Sequence, residues 1–133
     1  MYKIVLDTNV LFSAFSISTG APKDILLMWK NGTKFNVVLS EYILFEFRLA
    51  MNKKLHFSFA YLDLVIESIK DRSILVNPML VTHNNVLPND WPILGTATAA
   101  SADFLVSGDK RLLNLKHFYH TSIISPVDFL KLF

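Results

Sequence analysis

The sequence contains no cysteine, and this absence excludes disulfide bonds, thiolate metal sites and a cysteine nucleophile. It also lacks any apolar run approaching the roughly 18 residues of a membrane-spanning helix. The first residues reach the charge of Asp7 too soon to form the apolar region of a signal peptide. These absences predict a soluble, cytoplasmic protein.

A strong excess of charge of either sign is also absent. The chain carries 11 acidic residues and 13 lysines and arginines, which gives a formal net charge of +2. This mild excess permits a polyanionic partner but does not require one. Only two adjacent basic pairs occur, Lys53-Lys54 and Lys110-Arg111. Either pair could contact phosphate, although solvation at the surface is the simpler interpretation of runs this short.

Hydrophobic residues are abundant, at 52% of the 133 residues, and 13% of the residues are aromatic. This composition excludes a disordered or low-complexity chain. The length is enough to bury a sizeable core, and we expect one domain spanning residues 1–133.

Strand-like and helix-like segments alternate along the chain. The predicted strands cover residues 4–6, 35–39, 74–76, 104–106 and 122–124. Helices are predicted after Asp7, at about 22–30, 41–52, 59–70 and 93–102, as a short turn at 110–114, and at 127–133. Such alternation predicts a parallel sheet joined by right-handed crossovers. We expect a three-layer α/β/α, Rossmann-like fold with a central, mainly parallel sheet of about five strands.

The first predicted strand ends abruptly in the polar residues Asp7, Thr8 and Asn9. The three consecutive apolar residues before them suit a strand that is buried on both faces. Sites in open α/β sheets form at the carboxyl ends of the strands, so Asp7 is placed to face such a site. The alternative is that Asp7 or Thr8 only caps the next helix.

Three further acids stand near the ends or starts of predicted elements, namely Glu46, Asp90 and Asp109. If they converge with Asp7, a hard divalent cation such as Mg²⁺ or Mn²⁺ is the simplest reason, because it needs oxygen ligands and offsets repulsion among carboxylates. Each acid also has a simpler interpretation: Glu46 as an exposed side chain, Asp90 as a helix cap and Asp109 as a turn or cap residue. The histidines show no ligand spacing and are expected to be structural or exposed: His56, His83, His117 and His120.

Four motifs in order and spacing resemble the PIN-domain family. They are Val5-Leu-Asp-Thr-Asn-Val10, Ser40 with Glu46, Asp90-Trp-Pro-Ile-Leu-Gly-Thr-Ala97, and Ala102-Asp-Phe-Leu-Val-Ser-Gly-Asp109-Lys-Arg-Leu-Leu113. The closing Ile124-Ser-Pro126, with Phe129 and Leu130, also resembles the family's last strand and helix. The likeness runs nearly end to end and is greatest to the toxin components of bacterial and archaeal toxin–antitoxin pairs, the VapC-like ribonucleases.

This resemblance implies a PIN-like fold and cleavage of RNA that depends on Mg²⁺ or Mn²⁺. The family's catalytic and metal-binding acids would be Asp7, Glu46, Asp90 and Asp109. Asn9 and Ser107 would hydrogen-bond to these carboxylates and fix their geometry. The resemblance also implies a homodimer and an antitoxin protein as partner.

The chain departs from the family pattern at one place, where similar sequences often carry Asp-Pro-Asp-Asp and this chain has Leu87-Pro-Asn-Asp90. The loss of two acids leaves open a single metal ion, or a catalytically inactive PIN-like module that binds RNA or serves assembly. A further alternative is an aspartate-nucleophile phosphohydrolase of the haloacid dehalogenase type. That family requires a second aspartate where this chain has Asn9. A phospho-receiver domain requires an acidic pair after the first strand, where this chain has only Asp7.

Overall fold

The computed structural model of this protein describes residues 1–32 and 34–133. Its elements in chain order are β1 (Tyr2–Leu6), α1 (Thr8–Ser16), α2 (Ala21–Asn31), β2 (Phe35–Leu39), α3 (Glu41–Leu55), α4 (Phe59–Asp71), β3 (Ser73–Leu75), a 3₁₀ turn (Pro88–Asp90), α5 (Trp91–Ala100), β4 (Phe104–Val106), α6 (Lys110–Leu115), β5 (His117–Phe118), β6 (Thr121–Ile124) and α7 (Pro126–Leu130). None of the helices in these ranges combines the length and hydrophobicity required of a transmembrane segment.

The strands form one sheet in the order β3-β2-β1-β4-β6-β5. All neighbouring strands run parallel except β5, which is antiparallel to β6. From β1 the chain builds outward through β2 and β3, and it then returns to the other side of β1 to add β4 and β6. The strand order therefore reverses between β1 and β4. In such sheets a crevice opens at the carboxyl ends of the two strands where this reversal occurs.

The central strands are buried on both faces. Ile4, Val5 and Leu6 are successive residues of β1, and each is no more than 1% exposed. Successive side chains of a strand point to opposite faces, so helices must cover both sides of the sheet. Helix α5 packs against β1, β2 and β4, while α2 contacts β2. The predicted three-layer α/β/α architecture is thus confirmed.

The sheet has six strands rather than the predicted five, because the two-residue strand β5 was not predicted. It forms a tight hairpin with β6, in which His117 pairs with Ser122 and Phe118 pairs with Thr121. Tyr119 takes the left-handed conformation in the two-residue turn, with a φ of 52°. Hairpin turns of this length usually carry Asn or Gly at such a position, so the residues of this turn did not indicate a hairpin.

Several helix bounds also differ from the prediction, among them those of α5, which covers Trp91–Ala100 rather than residues 93–102. Helix α3 runs to Leu55 rather than Asn52, and His56 ends it in the left-handed conformation with a φ of 61°. Helix α7 ends at Leu130 rather than at the chain terminus. Beyond Leu130, the backbone hydrogen bonds tighten to the three-residue spacing, as in the bond from the Phe133 N–H to the Leu130 carbonyl at 3.2 Å.

Candidate active site

Asp7 lies at the carboxyl end of β1, directly beside the end of β4. Its backbone N–H donates to the Val106 carbonyl at 3.0 Å, which continues the β1–β4 ladder by one bond. Its side chain is only 3% exposed, and Oδ2 accepts a hydrogen bond of 2.7 Å from the Ser107 hydroxyl. Although Asp7 precedes α1, its side chain makes no capping hydrogen bond. Asp7 occupies the N-cap position of α1 and Thr8 is the first residue of the helix, but the bond from Ser107 shows that capping is not the only role of Asp7.

Burial is the main influence on the charge of Asp7. It raises the pKa of the Asp7 carboxyl above its ordinary value, because a buried carboxylate loses hydration. The Ser107 hydroxyl and the Thr8 N–H act in the opposite direction by hydrogen bonding to the carboxylate, while the nearby charge of Asp109 raises the pKa further. Asp7 is thus a buried acid with no basic partner among these influences.

The end of β4 supplies Ser107 and Asp109. Ser107 is fully buried, and its oxygen also accepts the Asp109 N–H at 3.0 Å. The Asp109 carboxylate accepts the Arg111 N–H at 2.9 Å and so caps α6, as the simpler interpretation of Asp109 expected. Asp109 also acts electrostatically on Asp7 and Asp90. Capping and membership of the acidic group are compatible, because the cap places the carboxylate beside the other two acids.

Asp90 ends the 3₁₀ turn that leads into α5. Its side chain makes no capping hydrogen bond, so the alternative that it is only a helix cap is wrong. Burial raises the pKa of Asp90 to about 6, and the charges of Asp7 and Asp109 add to this increase. A hydrogen bond with Asp109 and the charge of Glu46 act in the same direction. The other three predicted acids therefore all act on Asp90 at this edge of the sheet.

Glu46 reaches the site from α3. It is half-buried rather than exposed, and it lies on one side of the helix with Tyr42, Ala50 and Lys54, four residues apart in turn. The Tyr42 hydroxyl donates to the Asn89 backbone carbonyl, which ties α3 to the 3₁₀ turn. Burial raises the pKa of Tyr42 to about 12, and the charge of Glu46 and its hydrogen bond to Tyr42 contribute next.

These residues enclose a cleft of about 200 Å³. It is lined by Asp7, Thr8, Asn9, Tyr42, Glu46, Ala50, Lys54, Asn89, Asp90 and Ile93. Asn9 is exposed at its mouth, and among the described residues its side chain makes no hydrogen bond. A larger groove of about 450 Å³ lies between α2 and α4, but no acidic residue lines it. The chemistry therefore favours the smaller cleft as the functional site.

Comparison with known proteins identifies the family. Residues 3–111 match the PIN domain, which covers most of the chain. This chain belongs to the PIN-domain family. No curated protein sequence matches this PIN domain.

Several solved structures share the fold of this PIN domain, and two of them come from Rickettsia felis and Neisseria gonorrhoeae. One is VapBC2 from Rickettsia felis bound to a DNA fragment from their promoter, with a TM-score of 0.60 and 16% sequence identity over 91% of this chain and 96% of that one. The other is FitAcB from Neisseria gonorrhoeae, with a TM-score of 0.55 and 16% identity over 93% of this chain and 98% of that one. At this level of identity the likeness establishes the fold.

The carboxylate oxygens at the cleft of this PIN domain are the type of ligand that a hard divalent cation prefers. Asp7, Glu46 and Asp90 line the cleft, and Asp109 acts electrostatically on Asp7 and Asp90. Burial and then the neighbouring charges raise the pKa of Asp7 and Asp90, and a cation would relieve the repulsion among the carboxylates. Across residues 1–32 and 34–133, however, no three Asp, Glu or His side chains already stand close enough together to hold one ion. The electrostatic influence among the acids extends over several ångströms, whereas ligation requires contact. Binding would therefore need the side chains to rotate towards one another.

Two ionisable residues of the cleft in this PIN domain, Tyr42 and Lys54, were not predicted as site residues. Both belong to the side of α3 that carries Glu46, at positions four before and eight after it. Once Glu46 is assigned to a site, this spacing alone indicates its neighbours on the same face. What the sequence could not supply is the contact of Tyr42 with Asn89, because that contact joins segments distant in the chain.

Proposed function

We propose that this PIN domain is a divalent-cation-dependent endoribonuclease that hydrolyses RNA phosphodiester bonds, and that it is the toxin of a toxin–antitoxin pair. The observation that carries the proposal is the convergence of Asp7, Glu46, Asp90 and Asp109 at the point where the strand order reverses. Metal-dependent nucleases require such oxygen donors. The membership of the chain in the PIN-domain family supports nuclease chemistry as its use.

Asp7, Asp90 and Asp109 would hold the Mg²⁺ or Mn²⁺ ion, with Glu46 as a further ligand or as the residue that orients the attacking water. When bound, a divalent cation neutralises phosphate charge, lowers the pKa of water and stabilises the leaving oxygen. Glu46 has room for the second role, because it lines the cleft from α3, across from the ends of β1 and β4.

The remaining residues of the site would fix the carboxylates in place. The Ser107 hydroxyl donates to Asp7 and leaves only one Asp7 oxygen without this bond. The Asp109 N–H in turn donates to Ser107, so Asp7 and Asp109 are positioned by one hydrogen-bonded group. Such supporting contacts typically affect metal affinity or activity by tenfold or more. Asn9, at the mouth of the cleft, would hydrogen-bond to the carboxylates or to the substrate.

The proposed partners are an antitoxin protein and a second copy of the chain. Support for a protein partner comes from large apolar side chains on α3, α4 and their connection that are at least 39% exposed: Phe45, Leu49, Leu55, Phe57, Phe59, Tyr61 and Leu64. Exposed apolar surfaces of this kind mark protein interfaces. The solved structures that share the fold are described as VapBC2 and FitAcB, which supports the toxin–antitoxin assignment. Light scattering on the isolated chain tests the homodimer, and a monomeric mass would contradict it.

The alternative is an inactive PIN-like module that binds RNA or serves assembly. Leu87 and Asn89 replace acids of the family pattern, and both are exposed beside the cleft. The clustered charge of the other acids argues against this alternative, since an inactive site gains nothing from buried repulsion. An aspartate-nucleophile phosphohydrolase is disfavoured, because the chain belongs to the PIN-domain family and has Asn9 where the second aspartate is required.

The proposal is tested by incubating labelled single-stranded RNA with the purified protein in Mg²⁺, in Mn²⁺ and in EDTA. The Asp7→Asn variant removes one proposed ligand with little change in size. Asp63→Asn is the matched control, because Asp63 is a surface acid that pairs with Arg48 at 2.8 Å, away from the cleft. We expect cleavage in Mg²⁺ or Mn²⁺, none in EDTA, and loss of cleavage in Asp7→Asn alone.

The other outcomes separate the alternatives. Equal cleavage by the wild type and Asp7→Asn would contradict the assigned site. Absence of cleavage in every condition, with no stabilisation by divalent cations, would favour the inactive module. Stabilisation by cations without cleavage would support the metal site and would contradict the proposal that single-stranded RNA of this kind is the substrate.

A further inference from the structure

Lys54 lies in the same cleft as the carboxylates, at the far end of α3 from Tyr42. It is eight residues after Glu46, which places the two about 12 Å apart along the helix axis at 1.5 Å per residue. Ala50 stands between them on the same side of the helix. Because alanine is small, the surface from the acidic group to the lysine is open rather than blocked by a long side chain.

The positive charge of Lys54 is not neutralised by the acids of the cleft. Within the described part of the chain, the ion pairs involve Arg48, Lys70, His120 and Lys131, and none involves Lys54. Its ammonium group lies instead over the Phe12 ring, 5.0 Å from the ring centre. A cation–π contact of this kind restrains a lysine without cancelling its charge. The charge is therefore held at the cleft and remains available to an anion.

An RNA strand entering this cleft meets the carboxylates of Asp7, Glu46 and Asp90, which repel its phosphates. A nearby cation outside the carboxylate group offsets this repulsion and fixes the direction of the strand. Glu46 and Lys54 lie about two helical turns apart on one side of α3, so a strand lying along this side meets the carboxylates first and Lys54 further on.

From these observations, and resting on the proposed ribonuclease function, we infer that Lys54 binds a phosphate of the RNA that neighbours the scissile one, and that Phe12 holds the lysine in place. The strand then runs along α3 from the carboxylates towards the carboxyl end of the helix. Lys54 is a binding residue in this assignment and takes no part in the chemical step.

The chain provides a matched control in the preceding residue. Lys53 has the same charge and also lies in the last turn of α3. Its side chain leaves the helix about 100° away from that of Lys54, and it does not line the cleft. Long-range attraction of RNA to positive charge should be nearly equal for the two lysines. A difference between them therefore reports on a direct contact in the cleft.

The experiment measures binding of a fluorescently labelled single-stranded RNA by anisotropy, in Mg²⁺ and at a series of KCl concentrations. The Asp7→Asn variant is used throughout so that the RNA stays intact, and Lys54→Ala, Lys53→Ala, Lys54→Arg and Phe12→Leu are added to it singly. One phosphate contact to a single strand contributes about 0.7 to the slope of log K against log salt, or about fivefold in affinity near 0.1 M salt.

We expect Lys54→Ala to weaken binding about fivefold near 0.1 M salt and to reduce the slope by about 0.7. Lys53→Ala should leave both unchanged, Lys54→Arg should keep the slope, and Phe12→Leu should weaken binding less than Lys54→Ala. Equal effects of Lys53→Ala and Lys54→Ala, or no effect of either, would overturn this inference while leaving the ribonuclease proposal intact. Absence of RNA binding by every protein, together with absence of cleavage by the wild type, would overturn both.

Discussion

The two ends of the sheet are built from the same three strands but differ in chemistry. At the amino end, Tyr2, Phe35 and Phe104 belong to β1, β2 and β4, and their rings join those of Phe129 and Phe133 from the end of the chain. The ring centres are 5.1 to 6.4 Å apart, mostly edge to face. Aromatic pairs of this geometry stabilise a core beyond the area that they bury.

At the carboxyl end, a buried polar residue follows each of these strands. Asp7 follows β1, Ser40 follows β2 and Ser107 follows β4, and none is more than 3% exposed. Ser40 accepts a hydrogen bond of 2.9 Å from the Thr96 hydroxyl, and Ser107 donates to Asp7, so the serines are satisfied. The carboxylates nonetheless repel one another. One end of the sheet therefore stabilises the fold, while the other carries a charged site at a cost in stability.

Loss of the central ring at the amino end should have the largest effect. Phe129 is fully buried, and its ring centre lies 5.2 Å from those of Phe35 and Phe133. Phe129→Ala should lower the free energy of unfolding by about 3–5 kcal/mol, because it removes the ring and leaves a cavity. Urea denaturation measures this loss, with Phe129→Leu as a milder comparison. A loss below about 1 kcal/mol would contradict the stabilising role of this end.

Gly95 tests whether the packing of α5 contributes to the same stability. A methyl group at this position would lie 2.1 Å from the Met79 carbonyl oxygen, while the Met79 N–H donates to the Gly95 carbonyl at 3.0 Å. Gly95→Ala should therefore push the Met79 segment away and cost about 1–3 kcal/mol of unfolding free energy. Gly108→Ala is the control, since a methyl group there meets nothing within 4 Å. Equal stabilities of the two variants would refute the close contact.

Replacement of Asp90 should stabilise the protein, in contrast to the substitutions of Phe129 and Gly95. Its pKa in the folded protein is raised to about 6, so its ionised form is disfavoured by folding. The resulting penalty is absent below the ordinary pKa near 4 and develops fully as the pH rises through about 6. In EDTA at pH 7.5, Asp90→Asn should stabilise the protein by about 1 kcal/mol, after allowance for its partial exposure.

This gain should disappear near pH 4, where wild-type Asp90 is itself protonated. Thermal unfolding at the two pH values measures the effect, and Asp63→Asn serves as the control because its surface pair with Arg48 should contribute little. A destabilised Asp90→Asn variant at pH 7.5 would show that the carboxylate is satisfied in the fold.

The sequence predicted the parallel core but left open whether the four acids converge. Consecutive apolar residues such as Ile4, Val5 and Leu6 indicate a strand buried on both faces, and parallel strands bring their carboxyl ends to one edge. Asp7 and Asp109, which follow β1 and β4, are therefore expected at one edge, whereas the positions of Glu46 and Asp90 depend on how α3 and the 3₁₀ turn pack. Strand β5 could not be predicted, because Tyr119 makes its turn where Asn or Gly is usual.

Side-chain contacts across the chain were also beyond prediction. The sequence does not indicate that Tyr42 meets the Asn89 carbonyl, or that Lys54 lies over Phe12. These contacts depend on how helices are seated on the sheet, which the periodicity of each helix alone does not determine. The catalytic roles of the acids and the extent of the domain over residues 1–133 stay predictions.

The central claim is that the carboxyl end of the sheet is a divalent-cation site, and thermal unfolding with added Mn²⁺ or Mg²⁺ tests it most directly. A cation that binds only the folded protein should stabilise it by about 2.7 kcal/mol at a concentration about 100 times its Kd. We expect a clear rise in Tm for the wild type and for Phe129→Leu, whose change lies at the other end, and none for Asp7→Asn. An equal rise in all three proteins, or no rise in any, would contradict the account.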